Sequence, residues 1–277
     1  MENNEWKNYC ISLIPKMKIR FKQMMGRESN LDNPQKITDK FEWLKAYDSN
    51  FLKTYCADKY TLRSYVKEKL NKDISIPLLG VYNNFDEINF SKLPKDYVIK
   101  TNHGSHTNII VHNGQINKIT AKKQFNEWLS KDWSWWGYEM HYTLIPRKII
   151  IEPYMDNGKT GLIDYKFWCF NGKPKFFTIN GDNGHGGINH YDFNGKLLNY
   201  SRLDYPADFS KKWNMPKNLN EMKKYAEILS NDFKFVRVDF YEINNKTYIG
   251  EMTFIPGAAY IKWKHNEDEE LGKMLDL

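Results

Sequence analysis

The stretch from 233 to 260, FKFVRVDFYEINNKTYIGEMTFIPGAAY, constrains this chain more than any other. β-Branched and aromatic residues run through FKFVRVDFYEI and KTYIGEMTFI, and the Asn244-Asn245 pair between them suits the positive φ of a tight hairpin. Two paired strands are therefore expected, with three charges inside them: Arg237, Asp239 and Glu251. Strand side chains alternate between faces, so Arg237 and Asp239 share one, and a tight hairpin is expected to bring Glu251 onto it. Burying unpaired charges costs several kcal/mol each, so such a cluster pairs internally or holds a cation and its ligand. An exposed sheet face with an incidental ion pair satisfies the same residues. The rest of the chain has to decide.

With 277 residues there is room for two modest domains or one larger, subdivided one. Nine Trp and eighteen Tyr supply flat side chains for a core, and also surfaces on which sugars or adenine pack. A net charge of +7 admits an anionic partner: a nucleotide, an acidic polysaccharide or an anionic lipid. No basic run with interleaved aromatics is present, so nucleic acid is not an expected partner. Cys10, Cys56 and Cys169 are odd in number and far apart, which gives neither a disulfide framework nor a zinc motif and points to a reducing compartment. Glu2 and Glu5 open the chain without a signal-like apolar run, and no stretch approaches the ~18 apolar residues of a membrane span. A cytoplasmic location is expected.

In chain order, residues 1–57 read as mainly helical. Between Ile11 and Met25, Lys16, Lys18, Arg20 and Lys22 alternate with Ile14, Met17, Ile19, Phe21 and Met24. That pattern fits a partly solvated helix or strand on the core, or a basic patch making peripheral contact with an anionic membrane. Thr38 or Asp39 is expected to cap a helix. Asp58-Lys59 opens another, with Tyr60, Leu62, Tyr65, Val66 and Leu70 on its apolar face. A short strand, LLGVY, follows Ile76-Pro77. Then the strand YVIK ends in Lys100, before a polar loop, Thr101 to Asn108, whose N–H groups and hydroxyls suit a phosphate; an ordinary hairpin fits as well. Phe125 to Trp136 reads as a Trp-rich helix. KIIIEP is an apolar strand ending at Glu152-Pro153, and LIDYKFWCF a strand carrying Asp164 and Lys166 on one face, closed by an Asn171-Gly172 turn. Gly181 to His190 is glycine-rich with His185 and His190, either a loop closing on a substrate or a surface loop with incidental histidines. Pro216 to Asp232 reads as a helix capped by Asn218, with Glu221 completing a capping box.

In this order the phrases NLDNPQKITDKFEWLKAYD, DKYTLRSYVKEKL, YVIKTNHGSHTNI, IIIEPYM, DYKFWCFNGKPKF, FVRVDFYEINNKTYIGEMTF and ELGKMLDL resemble the ATP-grasp superfamily. More closely they resemble its teichuronopeptide-biosynthesis, TupA-like branch of bacterial surface-polysaccharide proteins. The resemblance runs from about residue 30 to the C-terminus. It implies an α+β, ATP-grasp fold in which two subdomains clasp ATP, with 1–57 as a helical N-terminal segment and 58–95 as a helix and linker strand. The small subdomain would be 96–155 and the large one 156–277.

Residue by residue, the resemblance implies that Lys100 contacts ATP phosphates and that Gly104 and Ser105 belong to the loop covering them. It implies that Glu152, Pro153, Tyr154 and Met155 form the hinge reading adenine, and that Asp164 or Lys166 faces the nucleotide. Asp239 and Glu251 would hold Mg²⁺ and Arg237 would steady the transferred phosphate, with Thr253 standing where many members have a metal-ligating Asn. A carboxylate–amine ligase acting through an acyl phosphate follows, with an acidic sugar or glycan precursor and an amine as partners. A sugar phosphotransferase and a non-catalytic nucleotide- or glycan-binding component are the alternative readings. Residues 1–57 are too short for the separate substrate domain with which many members begin, which leaves the acceptor site unassigned.

Overall fold

The computed structural model describes residues 3–156, 158, 162–181 and 187–277. Helices lead the chain: α1 (Asn3–Ser12), α2 (Ile14–Met25), α3 (Ile37–Tyr47), α4 (Phe51–Ala57) and α5 (Leu62–Leu70). There follow β1 (Gly80–Tyr82), β2 (Tyr97–Thr101), β3 (Asn108–Val111), α6 (Lys118–Ser130), α7 (Ser134–Gly137) and β4 (Ile149–Pro153). The second half holds β5 (Asp164–Phe170), β6 (Lys173–Asn180), β7 (Ile188–Tyr191), β8 (Leu197–Leu198), α8 (Leu219–Ser230), β9 (Phe235–Ile243), β10 (Lys246–Thr253) and α9 (Glu267–Gly272). Two antiparallel sheets result, one of four strands in the order β1-β4-β2-β3, the other of six in the order β10-β9-β5-β6-β7-β8. β1, from within 58–95, thus joins the small sheet through β4.

Alternation decides what each sheet face does. In β2, Tyr97 and Ile99 turn inward onto Phe85, Phe125 and Ile151, while Val98 and Lys100 turn the other way. In the large sheet, Val236, Val238, Phe240 and Phe167 share a core with α8 through Met222, Ala226 and Leu229. The other face is divided along its length. At one end Phe235 packs on Phe41 of α3, ring centroids 4.6 Å apart; at the other stand Arg237, Asp239, Lys166 and Asp164.

The Asn244-Asn245 turn forms as expected, with φ of 51° and 59°. Strict pairing from that turn would set Glu251 opposite Val238, on the core face, yet Glu251 stands opposite Asp239. The register shifts between Ile249 and Glu251, so Gly250 is the extra residue of a β-bulge and carries Glu251 and Thr253 onto the charged face. A Cβ at Gly250 would come within 2.9 Å of the Tyr241 ring.

Several expected local features are corrected. Thr38 and Asp39 do not cap α3, which starts at Ile37; Thr38 instead bonds Asp268 at 2.8 Å and Asp39 pairs with Arg27 at 2.7 Å. These tertiary partners outcompete a local cap. Asn218 precedes α8 without capping it, because its side chain donates to the Asn245 carbonyl, and Glu221 turns to Thr247 at 2.6 Å. Asp58-Lys59 lies ahead of α5, which begins at Leu62. The Trp-rich helix is two pieces, α6 ending at Ser130 and the short α7. The basic stretch is a helix, α2, burying Met17 and Phe21 and leaving Ile19 61% exposed.

His190 lies in β7, not in a closing loop, and His185 falls outside the described residues. Its Nδ1 is 2.8 Å from Thr178 Oγ1, which in turn accepts the Trp168 indole N–H at 2.9 Å. Burial, with Arg202 adding to it, pushes the imidazole down to about 3. Because the folded value lies below the unfolded one, the stability this ring contributes is full above about pH 6.5 and is lost as pH falls towards 3, at about 1.4 kcal/mol per pH unit. Nitrogen–proton NMR correlations are expected to show a neutral His190 ring at pH 5. A titration near 6.5 would contradict its place in the core. Among the described residues, no helix is long and apolar enough to cross a membrane.

Candidate active site

The charged end of the large sheet is an ion-pair lattice. Arg237 donates from Nε to Asp239 Oδ1 at 2.7 Å and from Nη2 to Oδ2 at 2.6 Å, and also reaches Thr253 Oγ1 at 3.0 Å and Glu251 Oε1 at 3.3 Å. Lys166 Nζ lies 3.1 Å from Asp239 and 3.4 Å from Asp164. Asp239 is 1% exposed, sealed beneath Arg237, whereas the Glu251 side chain is 38% exposed. Burial alone would raise the Glu251 carboxyl, but Lys59, Arg237 and Lys166 together outweigh it and hold it at about 2. Burial lifts Asp164 above the ordinary carboxylate range, and Lys166 offsets only part of that.

The small sheet supplies the facing wall. Lys100 Nζ pairs with Glu152 Oε2 at 2.6 Å, and Arg63 of α5 takes the other carboxylate oxygen at 2.5 Å. Glu152 is 5% exposed, which ionised carboxylates tolerate only when paired in this way. Between β2 and β3 the loop is closed by Thr101 N–H donating to the Thr107 carbonyl at 3.0 Å and by their hydroxyls at 2.6 Å. A Cβ on Gly104 would fall 2.7 Å from Thr107 Oγ1, so this loop admits only glycine there. Lys59 Nζ donates to the Gly104 carbonyl at 2.9 Å and lies 3.6 Å from Glu251 Oε2, bridging the loop to the large sheet.

Two cavities open between these walls. The first, of about 260 Å³, is lined by Lys100, Gly104, Ser105, Glu152, Pro153, Tyr154, Met155 and Glu251, with Tyr241 and Leu162. The second, of about 450 Å³, shares Lys59, Gly104, Ser105, His106 and Glu251 with it and adds Arg237 and Thr253. Of the residues singled out in the sequence, Asp164, Lys166 and Asp239 line neither; they form the row behind Arg237 and Glu251. Lys59, Arg63 and Tyr241 are not among the site residues expected from the sequence, where Lys59 reads only as a helix-opening charge. Lys59 lies inside the matching phrase DKYTLRSYVKEKL, which was the available signal.

This arrangement, two antiparallel sheets around a cleft closed by a glycine-containing loop and preceded by helices, is the ATP-grasp fold. Residues 39–276 match the TupA-like ATPgrasp family, and the chain belongs to it. Solved structures similar to it include D-alanine–D-alanine ligase from Helicobacter pylori (14% identity, 80% of this chain and 59% of that one, TM-score 0.44). The same ligase from Bacillus anthracis, complexed with ATP, matches at 18% identity over 76% of this chain and 57% of that one, TM-score 0.43. D-cycloserine synthetase matches at 11% identity over 79% and 69%, TM-score 0.45. The chain thus spans under three fifths of the length of either D-alanine–D-alanine ligase. A comparison with curated proteins gives no match.

Proposed function

We propose that this protein is an ATP- and Mg²⁺-dependent carboxylate–amine ligase that works through an acyl phosphate. In this reading it joins an amine to a uronic-acid carboxylate of a cell-surface polysaccharide precursor. One observation carries the chemistry: the Arg237–Asp239–Glu251 lattice faces the Lys100–Glu152 pair across a cleft, with the Gly104 loop of the small sheet bridged to Glu251 by Lys59. The glycan substrate is supported by the branch the sequence resembles and by the net charge of +7, which suits an acidic sugar.

In this reading the subdomains 96–155 and 156–277 hold the nucleotide between them. Lys100 meets the phosphates as a point charge, exchanging part of its pairing with Glu152 for them. Gly104 and Ser105 cover the phosphates through backbone N–H groups. At the hinge, Pro153 has no N–H and Tyr154 gives its own to Asp96 O at 3.3 Å, so Met155 is left to offer an N–H to adenine. Lys166, itself paired with Asp164, acts from behind and holds Asp239 in place.

The donor set fits Mg²⁺. Among the described residues no group of three His, Cys, Asp or Glu side chains is placed to hold a metal ion by itself, but this ion needs only one or two carboxylates beside phosphates and water. Glu251, ionised and partly exposed, is the first ligand; Asp239 and Thr253 become available as Arg237 turns from them to the transferred phosphoryl group. When bound, Mg²⁺ would neutralise charge on the β- and γ-phosphates.

Thermal unfolding with Mg·ATP tests the reading. At a hundred times Kd, binding contributes about 2.7 kcal/mol, roughly a 5–10 °C rise in a chain of this size. No shift at millimolar Mg·ATP sinks the nucleotide site. With γ-labelled ATP, phosphate release that needs both a uronic acid and an amine is expected; a stable labelled product without amine would make the enzyme a phosphotransferase.

A further inference from the structure

The second cavity has a lining that nucleotide binding does not use. Trp133, Trp136 and Tyr142 give it aromatic walls, Ile255, Gly257 and Ala258 an apolar side, and Glu139 a carboxylate. Of the two carboxylates lining it, Glu251 is engaged by Lys59 and Arg237, while no hydrogen bond or ion pair reaches the Glu139 side chain among the described residues. In an aromatic chamber a carboxylate that no cation holds at bonding distance is costly to ionise, so a visiting cation is favoured there, and aromatic faces themselves favour a cation.

The wall beside it is strained. Gly257, Ala258 and Ala259 have successive φ values of 57°, 51° and 67°, and alanine in that region costs on the order of 1 kcal/mol per residue. The fully buried Lys45 holds the turn by donating to the Ala258 carbonyl at 2.7 Å, and is itself neutralised by Glu42. The segment carrying Glu139 is locked against this turn, since a Cβ on Gly137 would come within 2.4 Å of the Ala258 Cβ. Strain of this kind persists where the surroundings over-determine it, typically at ligand clamps.

We propose that this second cavity is the amine subsite, taking a primary amine on a ring-shaped body that packs on Trp133, Trp136 and Tyr142, with Glu139 binding the ammonium and accepting its proton. The inference rests on the nucleotide site proposed above, which sets the acyl phosphate at the end the two cavities share. Glu139 takes one proton from the ammonium. The nitrogen lone pair then forms the C–N bond while the acyl C–O bond to phosphate breaks, and the departing phosphate carries off a second proton. The products are the amide, hydrogen phosphate and protonated Glu139. Burial raises the Glu139 carboxyl to about 7, with Lys45 lowering it and Glu42 raising it from α3, so near neutrality it can both take and return a proton.

The test uses the full chain saturated with Mg²⁺ and a non-hydrolysable ATP analogue, read by tryptophan fluorescence. Glucosamine and 2-phenylethylamine are the probes, with glucose and 2-phenylethanol as their neutral counterparts. The amines are expected to bind at least tenfold more tightly than their counterparts, and Glu139→Gln to erase that preference while keeping the nucleotide-induced thermal shift. Trp136→Ala, at a position 56% exposed, is expected to weaken amine and neutral probes alike. Amines binding no better than their counterparts, or as tightly to Glu139→Gln as to the parent, overturns the proposal. Amine binding that depends on Glu139 in a protein showing no nucleotide shift would sink the nucleotide reading and leave the amine subsite standing.

Discussion

Replacing Asp239 by Asn is expected to cost about 3 kcal/mol of folding stability and to lower ATP turnover on the order of a thousandfold. The stability term follows from burial. Asp239 is 1% exposed and accepts three charge-assisted hydrogen bonds, two from Arg237 and one from Lys166. Removing one partner of a buried pair costs ~3–5 kcal/mol because the remaining charges are left uncompensated. Here Glu251 and Asp164 retain part of the pairing, which places the loss near the lower end. Glu251→Gln separates folding from function. Its side chain is 38% exposed, so the change should cost less than about 1 kcal/mol, yet it removes the most accessible carboxylate of the proposed metal site. Urea unfolding and Mg·ATP thermal shifts of both variants decide the matter. An Asp239→Asn protein as stable as the parent would show that the lattice does not depend on Asp239. A full Mg²⁺-dependent shift in Glu251→Gln would remove Glu251 from the metal site.

How much of this was legible in the sequence differs from residue to residue. Arg237 and Asp239 share a face because they are two apart in a strand, and the structure pairs them. Lys100 lies in the strand the pattern implied, which runs one residue further to Thr101, and its pairing with Glu152 joins two segments 52 residues apart that only sheet register brings together. Glu139 gave no signal. It lies between two short helical turns, just past the Phe125–Trp136 stretch read as one Trp-rich helix, where a carboxylate looks solvated. Lys59 looked like a helix-opening charge, and its reach to Gly104 depends on a loop packed from elsewhere in the chain. Caps misled for a related reason: Thr38 and Asn218 had the right chemistry, but Asp268 and the Asn245 carbonyl offered tertiary bonds that local rules do not contain.

Gly250 leads to the second large effect, one in which substituting a residue should be worse than deleting it. With valine at 250, the chain can keep the bulge only by forcing a Cβ to within 2.9 Å of Tyr241 and 3.3 Å of the Asp239 carbonyl. The alternative is the strict register set by the Asn244-Asn245 turn, which sends Glu251 into the core opposite Val238 and turns Met252, now 2% exposed, onto the charged face. Burying that carboxylate costs several kcal/mol, so either route is expected to lower stability by about 3 kcal/mol and to abolish the Mg·ATP shift. Removing Gly250 altogether leaves Ile249 opposite Phe240 and Glu251 opposite Asp239 in unbroken pairing. Only the local twist and bend are lost, so the deletion is expected to cost about 1–2 kcal/mol and to keep a measurable Mg·ATP shift. Urea midpoints and thermal shifts of the two variants make the comparison. A valine variant that binds Mg·ATP better than the deletion would show that Gly250 does not set the face on which Glu251 stands.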